Sequence, residues 1–141
     1  MNDAIQLKRS GPVAVLTLNR PKSVNSLSLD AIKALLAQLR GVANDNSVRA
    51  LVITGAGRAF CAGWQLDDQG MPGLPDESFG VRQSHPMEEY FNPVIQALHD
   101  LSIPSLAAVN GVCADAGVNI TLAADVVIAS DMASFLPTFA P

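Results

Sequence analysis

No lysine or arginine follows Arg82, so Gln83 to Pro141 carries acids as its only permanently charged side chains. The net charge is −4. A chain so short of basic surface does not suit nucleic acid, and none is expected as a partner. Cysteine is scarce too. Cys61 and Cys113 each lie in an apolar, glycine-rich stretch, and two cysteines so placed form neither a disulfide framework nor a metal-ligand pattern. They read as reduced thiols of a cytoplasmic protein, and no metal is expected. No apolar run reaches the roughly 18 residues of a membrane span. Met1-Asn2-Asp3-Ala4 lacks the basic and apolar regions of a signal peptide. Neither a membrane nor a secretory route is therefore expected.

What is present is apolar. Hydrophobic residues make up 49% of the chain and charged residues 16%. The 141 residues suffice for a domain with a core, and residues 1–141 read as a single domain. The apolar surplus serves either a large core or a surface meant for a partner or for further chain.

Hydropathy patterning gives the order of elements. Ile5 to Leu7 and Val13 to Leu18 alternate about the turn Gly11-Pro12, which predicts a hairpin with Val13, Val15 and Thr17 on one face. Arg20-Pro21-Lys22 breaks it. Ser28 or Asn25 caps a helix in which Leu29, Ile32, Leu35, Leu36, Leu39 and Val42 recur at helical spacing. Ala50 to Thr54 is a continuous apolar run, expected as a strand buried on both faces. Residues 67–84 read as a loop around Met71-Pro72-Gly73-Leu74-Pro75. A second helix is predicted from about Pro86 to Asp100, with Tyr90, Val94, Ile95 and Leu98 inward. Ser105 to Val109 is a strand, Asp115 to Ala124 a helix and Val126 to Ala129 a further strand. Alternating strands and helices predict an α/β fold with right-handed crossovers. No closing helix precedes Pro141, which reads as an interruption.

Two runs carry the chemistry. The first is Gly55-Ala56-Gly57-Arg58-Ala59-Phe60-Cys61-Ala62-Gly63-Trp64-Gln65-Leu66. The second is Pro104 to Val109 followed by Asn110-Gly111-Val112-Cys113-Ala114-Asp115-Ala116-Gly117. Each leaves a strand through glycine, which permits close backbone approach. The second then opens a helix, whose first N–H groups are free and sit at a positive dipole end. Two such loops can aim two backbone donors at one oxygen.

In order and spacing these segments resemble the crotonase (enoyl-CoA hydratase/isomerase) family. Arg20-Pro21 with Asn25-Ser26-Leu27-Ser28 matches its first loop, Phe60–Leu66 its first oxyanion loop, and Pro104 through Asp125-Val126-Val127-Ile128-Ala129 its second. The resemblance runs from the hairpin to Phe139. Val109–Val118 and Asn119 look most like isomerase members that act on ring-epoxide and enoyl thioesters in aromatic acyl-CoA breakdown. The resemblance implies a repeated ββα spiral, an α/β fold truncated before its C-terminal helical region. It also implies a homotrimer once the chain is complete. The implied partner is an acyl-CoA thioester, with no cofactor beyond coenzyme A as part of the substrate. By the same resemblance, the backbone N–H groups of Trp64 and Ala116 form the oxyanion hole. Ala62, Gly63, Gln65, Leu66 and Gly117 line the substrate path, and Lys22 contacts a phosphate.

Hydratases of the family use two glutamates as acid and base. The matching positions here hold Asn119 and Phe139, and neither exchanges a proton at neutral pH. Isomerase members often carry their acid farther on, which puts the expected proton-transfer residue beyond Pro141. Asp115 departs as well, since glycine is usual there. An aspartate suits a helix N-cap; the other reading is a replacement base. A carboxylate about 4 Å from a growing enolate would repel it by about 4 kcal/mol in a partly screened site. Asp67, Asp68, Glu88 and Glu89 read as solvated surface, and His85 and His99 as structural or surface. The function expected is that of an enoyl-CoA isomerase or hydratase; the alternative is a truncated or non-catalytic acyl-CoA binder. A dinucleotide site at Gly55-Ala56-Gly57 lacks the remaining glycine and the acidic partner.

Overall fold

The hairpin of strands β1 (Ile5–Ser10) and β2 (Val13–Leu18) starts a five-stranded sheet. The computed structural model describes residues 3–65 and 87–137. Strands β3 (Ala50–Gly55), β5 (Ser105–Val109) and β7 (Val126–Ala129) follow, and the sheet order is β1-β2-β3-β5-β7. β1 and β2 are antiparallel, and every later pairing is parallel. The α/β expectation holds. A second sheet, absent from the sequence reading, runs β4 (Ala59–Cys61), β6 (Val112–Ala114) and β8 (Ser134–Leu136), all parallel. Both candidate loops therefore contain a three-residue strand.

Helix α1 (Leu29–Ala43) forms as expected. Ser28 caps it, its side chain accepting from the Ala31 N–H at 3.2 Å. Ala31, Ile32, Leu35, Leu36, Leu39 and Val42 bury one face, against β1 and against helix α2 (Asn92–His99). Burying each large aliphatic side chain contributes about 1.5–3 kcal/mol, and Leu16, Ile32, Leu35, Leu39 and Ile53 are all fully enclosed.

Two expectations change, one in β3 and one in the second helix. β3 is not buried on both faces: Leu51 and Ile53 are enclosed, while Val52 and Thr54 are only partly covered. In β2, Val13, Val15 and Thr17 share one face as expected, and the opposite face of Ala14, Leu16 and Leu18 enters the core. The second helix is preceded by a wide π-type turn at Met87–Phe91. Pro93 has no N–H to give the carbonyl one turn back, so α-helical bonding restarts after it. The turn brings Phe91 inward beside Val94 and Leu98 and leaves Tyr90 and Ile95 partly covered. The expected loop at 67–84 lies outside the described residues.

Helix α3 (Ala116–Ala123) leads to β7, which among the described residues is the last strand of the sheet and is exposed along its whole length. Val126, Val127, Ile128, Met132, Phe135 and Leu136 are all open to solvent. The apolar surplus of the composition collects on this side.

Candidate active site

Three chain segments meet around residues 61–65. The first leaves β2 through a short 3-10 turn at Pro21–Ser23 and reverses at Val24 and Asn25, with φ of 57° and 55°. It then runs beside the segment after β4. The Ala62 N–H donates to Val24 O at 3.0 Å, the Leu27 N–H to Gly63 O at 2.7 Å, and the Gln65 N–H to Leu27 O at 2.9 Å. Arg20 spans the same pair of segments, donating to Ser26 O and, at 2.7 Å, to Gln65 Oε1. Gln65 is thus held by a guanidinium.

Two asparagines fix the frame beneath. Asn25 is 1% exposed. Its Oδ1 accepts from the Arg20 N–H at 2.7 Å, and its Nδ2 donates to Ala56 O and Ala59 O, both at 2.9 Å. Asn110 accepts from the Gly55 N–H at 3.1 Å and donates to Gly57 O at 3.0 Å and Ala59 O at 3.1 Å. In the sequence Asn110 stands where the chain leaves a strand and Asn25 stands as a candidate cap. A turn-favouring amide has one acceptor and two donors, which suits it to clamp several buried backbone groups.

The third segment is β6 with the start of α3, and glycine lets it pack directly on the first loop. A Cβ on Gly117 would stand 2.7 Å from Cys61 O, and one on Gly63 would stand 2.5 Å from Asp115 Cβ. Gly63 has φ of 100°, where glycine is favoured. The sequence-predicted residues Gly63, Trp64, Asp115 and Gly117 are therefore gathered in one place. Ala116 opens α3, and the first N–H groups of a helix have no intrahelical acceptor.

Asp115 does not cap α3: its side chain makes no cap hydrogen bond. Instead Oδ2 accepts from the Trp64 N–H at 3.2 Å. The cause is its backbone, at φ 52° and ψ −121°, which turns the side chain back toward Gly63. Asn119 lies about one turn into α3. It lines an open groove of about 670 Å³ between α2 and α3, with Phe91, Ile95, His99 and Leu122. Lys22 is exposed on the 3-10 turn, and Ala62 and Gln65 are half-buried. Leu66 and Phe139 lie outside the described residues, as do Asp67, Asp68 and His85. Glu88, Glu89 and His99 are exposed, His99 pairing with Asp100 at 3.1 Å.

The thiols beneath the loops are both buried and free. Burial pushes Cys61 up to about 12 and Cys113 up to about 11. At pH 8 a disulfide reagent is expected to label both at least about a hundredfold more slowly in the folded chain than in urea, because the thiolate is the nucleophile. Rapid labelling of the folded chain would show the loops to be open. Among the described residues no cluster of His, Cys, Asp and Glu suits a metal ion.

A family model for enoyl-CoA hydratase/isomerase matches residues 8–140. The chain belongs to that family. It is 41% identical over 135 residues to a probable enoyl-CoA hydratase of Rhodobacter capsulatus, covering 96% of this chain and 49% of that one. It is 42% identical over 129 residues to the 1,2-epoxyphenylacetyl-CoA isomerase of Escherichia coli, covering 90% and 47%. A solved monofunctional enoyl CoA isomerase from M. smegmatis superposes with a TM-score of 0.75 at 36% identity, over 95% of this chain and 53% of that one. The fold is thus of crotonase type, and the chain spans about half the length of the curated relatives it matches. Among the described residues no helix is long and apolar enough to cross a membrane.

Proposed function

We propose that this chain holds the thioester of an acyl-CoA and takes part in enoyl-CoA isomerase- or hydratase-type chemistry. The Trp64 and Ala116 N–H groups are the donors to the thioester oxygen. The packing of Gly63 on Asp115 and of Gly117 on Cys61 supports this reading, because it brings the Trp64 amide beside the free start of α3. When a proton leaves the carbon next to the thioester carbonyl, the electron pair moves onto the oxygen. Donors fixed in the backbone stabilise that charge, and losing one costs about 2.7–4 kcal/mol. Backbone atoms serve equally well whatever side chain sits there, so Trp64 and Ala116 are chosen by geometry. Ala62, Gly63, Gln65, Leu66 and Gly117 line the path of the acyl-CoA in this proposal, and Lys22 meets a phosphate.

One observation favours a second reading, a binder without turnover. Asn119 stands on α3 where a hydratase acid is expected, and an amide does not exchange protons at neutral pH. Two free, buried thiols suit a reducing compartment, so the cytoplasm is the proposed location, with a homo-oligomer as the proposed assembly.

Calorimetric titration of the folded chain with acetyl-CoA, beside absorbance assays with crotonyl-CoA and an unsaturated aromatic acyl-CoA, separates the two readings. Heat of binding is expected. Turnover above buffer selects the enzyme, and binding without turnover selects the binder. No heat from a folded chain sinks both.

A further inference from the structure

The Trp64 amide that the proposed function needs is already engaged. Asp115 Oδ2 sits 3.2 Å from its nitrogen. An N–H makes one good hydrogen bond, so the carboxylate and an incoming carbonyl oxygen compete for it. Three features hold the carboxylate there. The Asp115 N–H donates to Leu136 O at 3.0 Å, and Asp115 O accepts from the Val118 N–H at 3.0 Å, which fixes the backbone on both sides. Its φ of 52° with ψ of −121° is a conformation that side-chain-bearing residues rarely adopt. Gly63 has no Cβ and leaves room for Asp115 Cβ.

We propose that Asp115 is the residue that sets this chain's discrimination for the thioester oxygen: its carboxylate occupies the Trp64 N–H, and a carbonyl oxygen enters by displacing it. The idea rests on the reading of Trp64 and Ala116 as oxygen donors. A charged oxygen is a stronger acceptor than a thioester oxygen, and the two repel if both stay. The native chain therefore draws little advantage from the carbonyl. It recognises the coenzyme A portion of the ligand and is nearly indifferent to what replaces the thioester.

The test compares acetyl-CoA with S-ethyl-CoA, a thioether of the same length without the carbonyl oxygen, by calorimetry on the native chain, Asp115→Gly and Asp115→Asn. The native chain is expected to bind the two within about twofold of each other. Asp115→Gly suits the backbone conformation and frees the amide, and is expected to favour the thioester by about tenfold, the upper end of what one hydrogen bond between neutral groups contributes. Asp115→Asn keeps a neutral acceptor and falls between. A thioester-to-thioether ratio unchanged in both variants overturns the proposal, even if both ligands tighten together. Exchange of the Trp64 amide with deuterium reports on the contact without any ligand. It is expected to quicken about tenfold in Asp115→Gly, and an unchanged rate also overturns the proposal. If no variant binds either ligand while the amide does quicken, the contact stands and the acyl-CoA reading fails, taking the discrimination with it.

Discussion

Replacing Asn25 with alanine is expected to lower the unfolding free energy by about 2–5 kcal/mol, because each buried polar group left without its partner costs about 1–3 kcal/mol. The Arg20 N–H and Ala56 O both lose the side chain that bonds them. Ala59 O keeps its bond from Asn110 and loses less. A second contribution comes from the backbone. Asn25 has φ of 55°, a left-handed conformation that asparagine tolerates better than alanine. The Asn25→Gly variant separates the two, since glycine takes that conformation without strain. It is expected to recover about 1 kcal/mol relative to alanine, the scale of the left-handed penalty. Urea unfolding followed by circular dichroism measures both, with the midpoint moving and the slope unchanged. A midpoint within experimental scatter of the native chain would mean that Asn25 is not the clamp described above.

The second large effect concerns space rather than hydrogen bonding. A Cβ on Gly111 would collide with the Arg58 carbonyl oxygen, lie 2.8 Å from that carbonyl carbon and 3.2 Å from Ala59 Cα. All three are backbone atoms of the segment entering β4, so no side-chain rotation relieves the clash. Gly111→Ala is expected to cost about 3 kcal/mol, the upper end of overpacking in a well-filled site. It also pries β4 from β6, which carry the two proposed donor loops. Gly41→Ala is the matched comparison. That glycine lies on the exposed face of α1 with nothing within 4 Å of the added carbon. Alanine there is expected to stabilise by about 0.5–1 kcal/mol, from helix propensity. The two substitutions add the same methyl group, so opposite shifts in melting temperature isolate the role of the Arg58 carbonyl. Equal shifts would count against it.

Much of the architecture was legible. Ile32, Leu35, Leu36 and Leu39 repeat at helical spacing because one face of α1 lies on the core, and the Ser28 hydroxyl caps it where a serine before such a run belongs. Ala50 to Thr54 and Ser105 to Val109 read as strands because short β-rich runs between breakers have few alternatives. β4, β6 and β8 were not legible. Three residues are too few to show a period, and Phe60-Cys61-Ala62-Gly63 reads as a turn until a parallel neighbour is present. The π-type turn was hidden because Pro93 displaces the hydrogen-bond pattern without changing the apolar spacing enough to announce it.

At the candidate site, the glycines marked where the two loops touch. The direction of Asp115 was not legible. An aspartate before a helix predicts a cap, and only the backbone angle at that residue turns its carboxylate toward Trp64 instead. Arg20 bonding Gln65 was similarly invisible, since 45 residues separate them and neither belongs to a periodic pattern.

The Ala59 carbonyl oxygen accepts from the Asn25 amide on one side and the Asn110 amide on the other. One atom thereby ties the loop after β2 to the turn after β5, through the strand that enters the first donor loop. When either end lifts away, that oxygen keeps one of its two donors. The segments around residues 20–27, 56–61 and 110–114 thus share one junction, and their amides are expected to exchange with deuterium at similar rates. The Trp64 amide lies between Gly63 and Gln65, which both hydrogen-bond to Leu27, so its place depends on that junction at one remove.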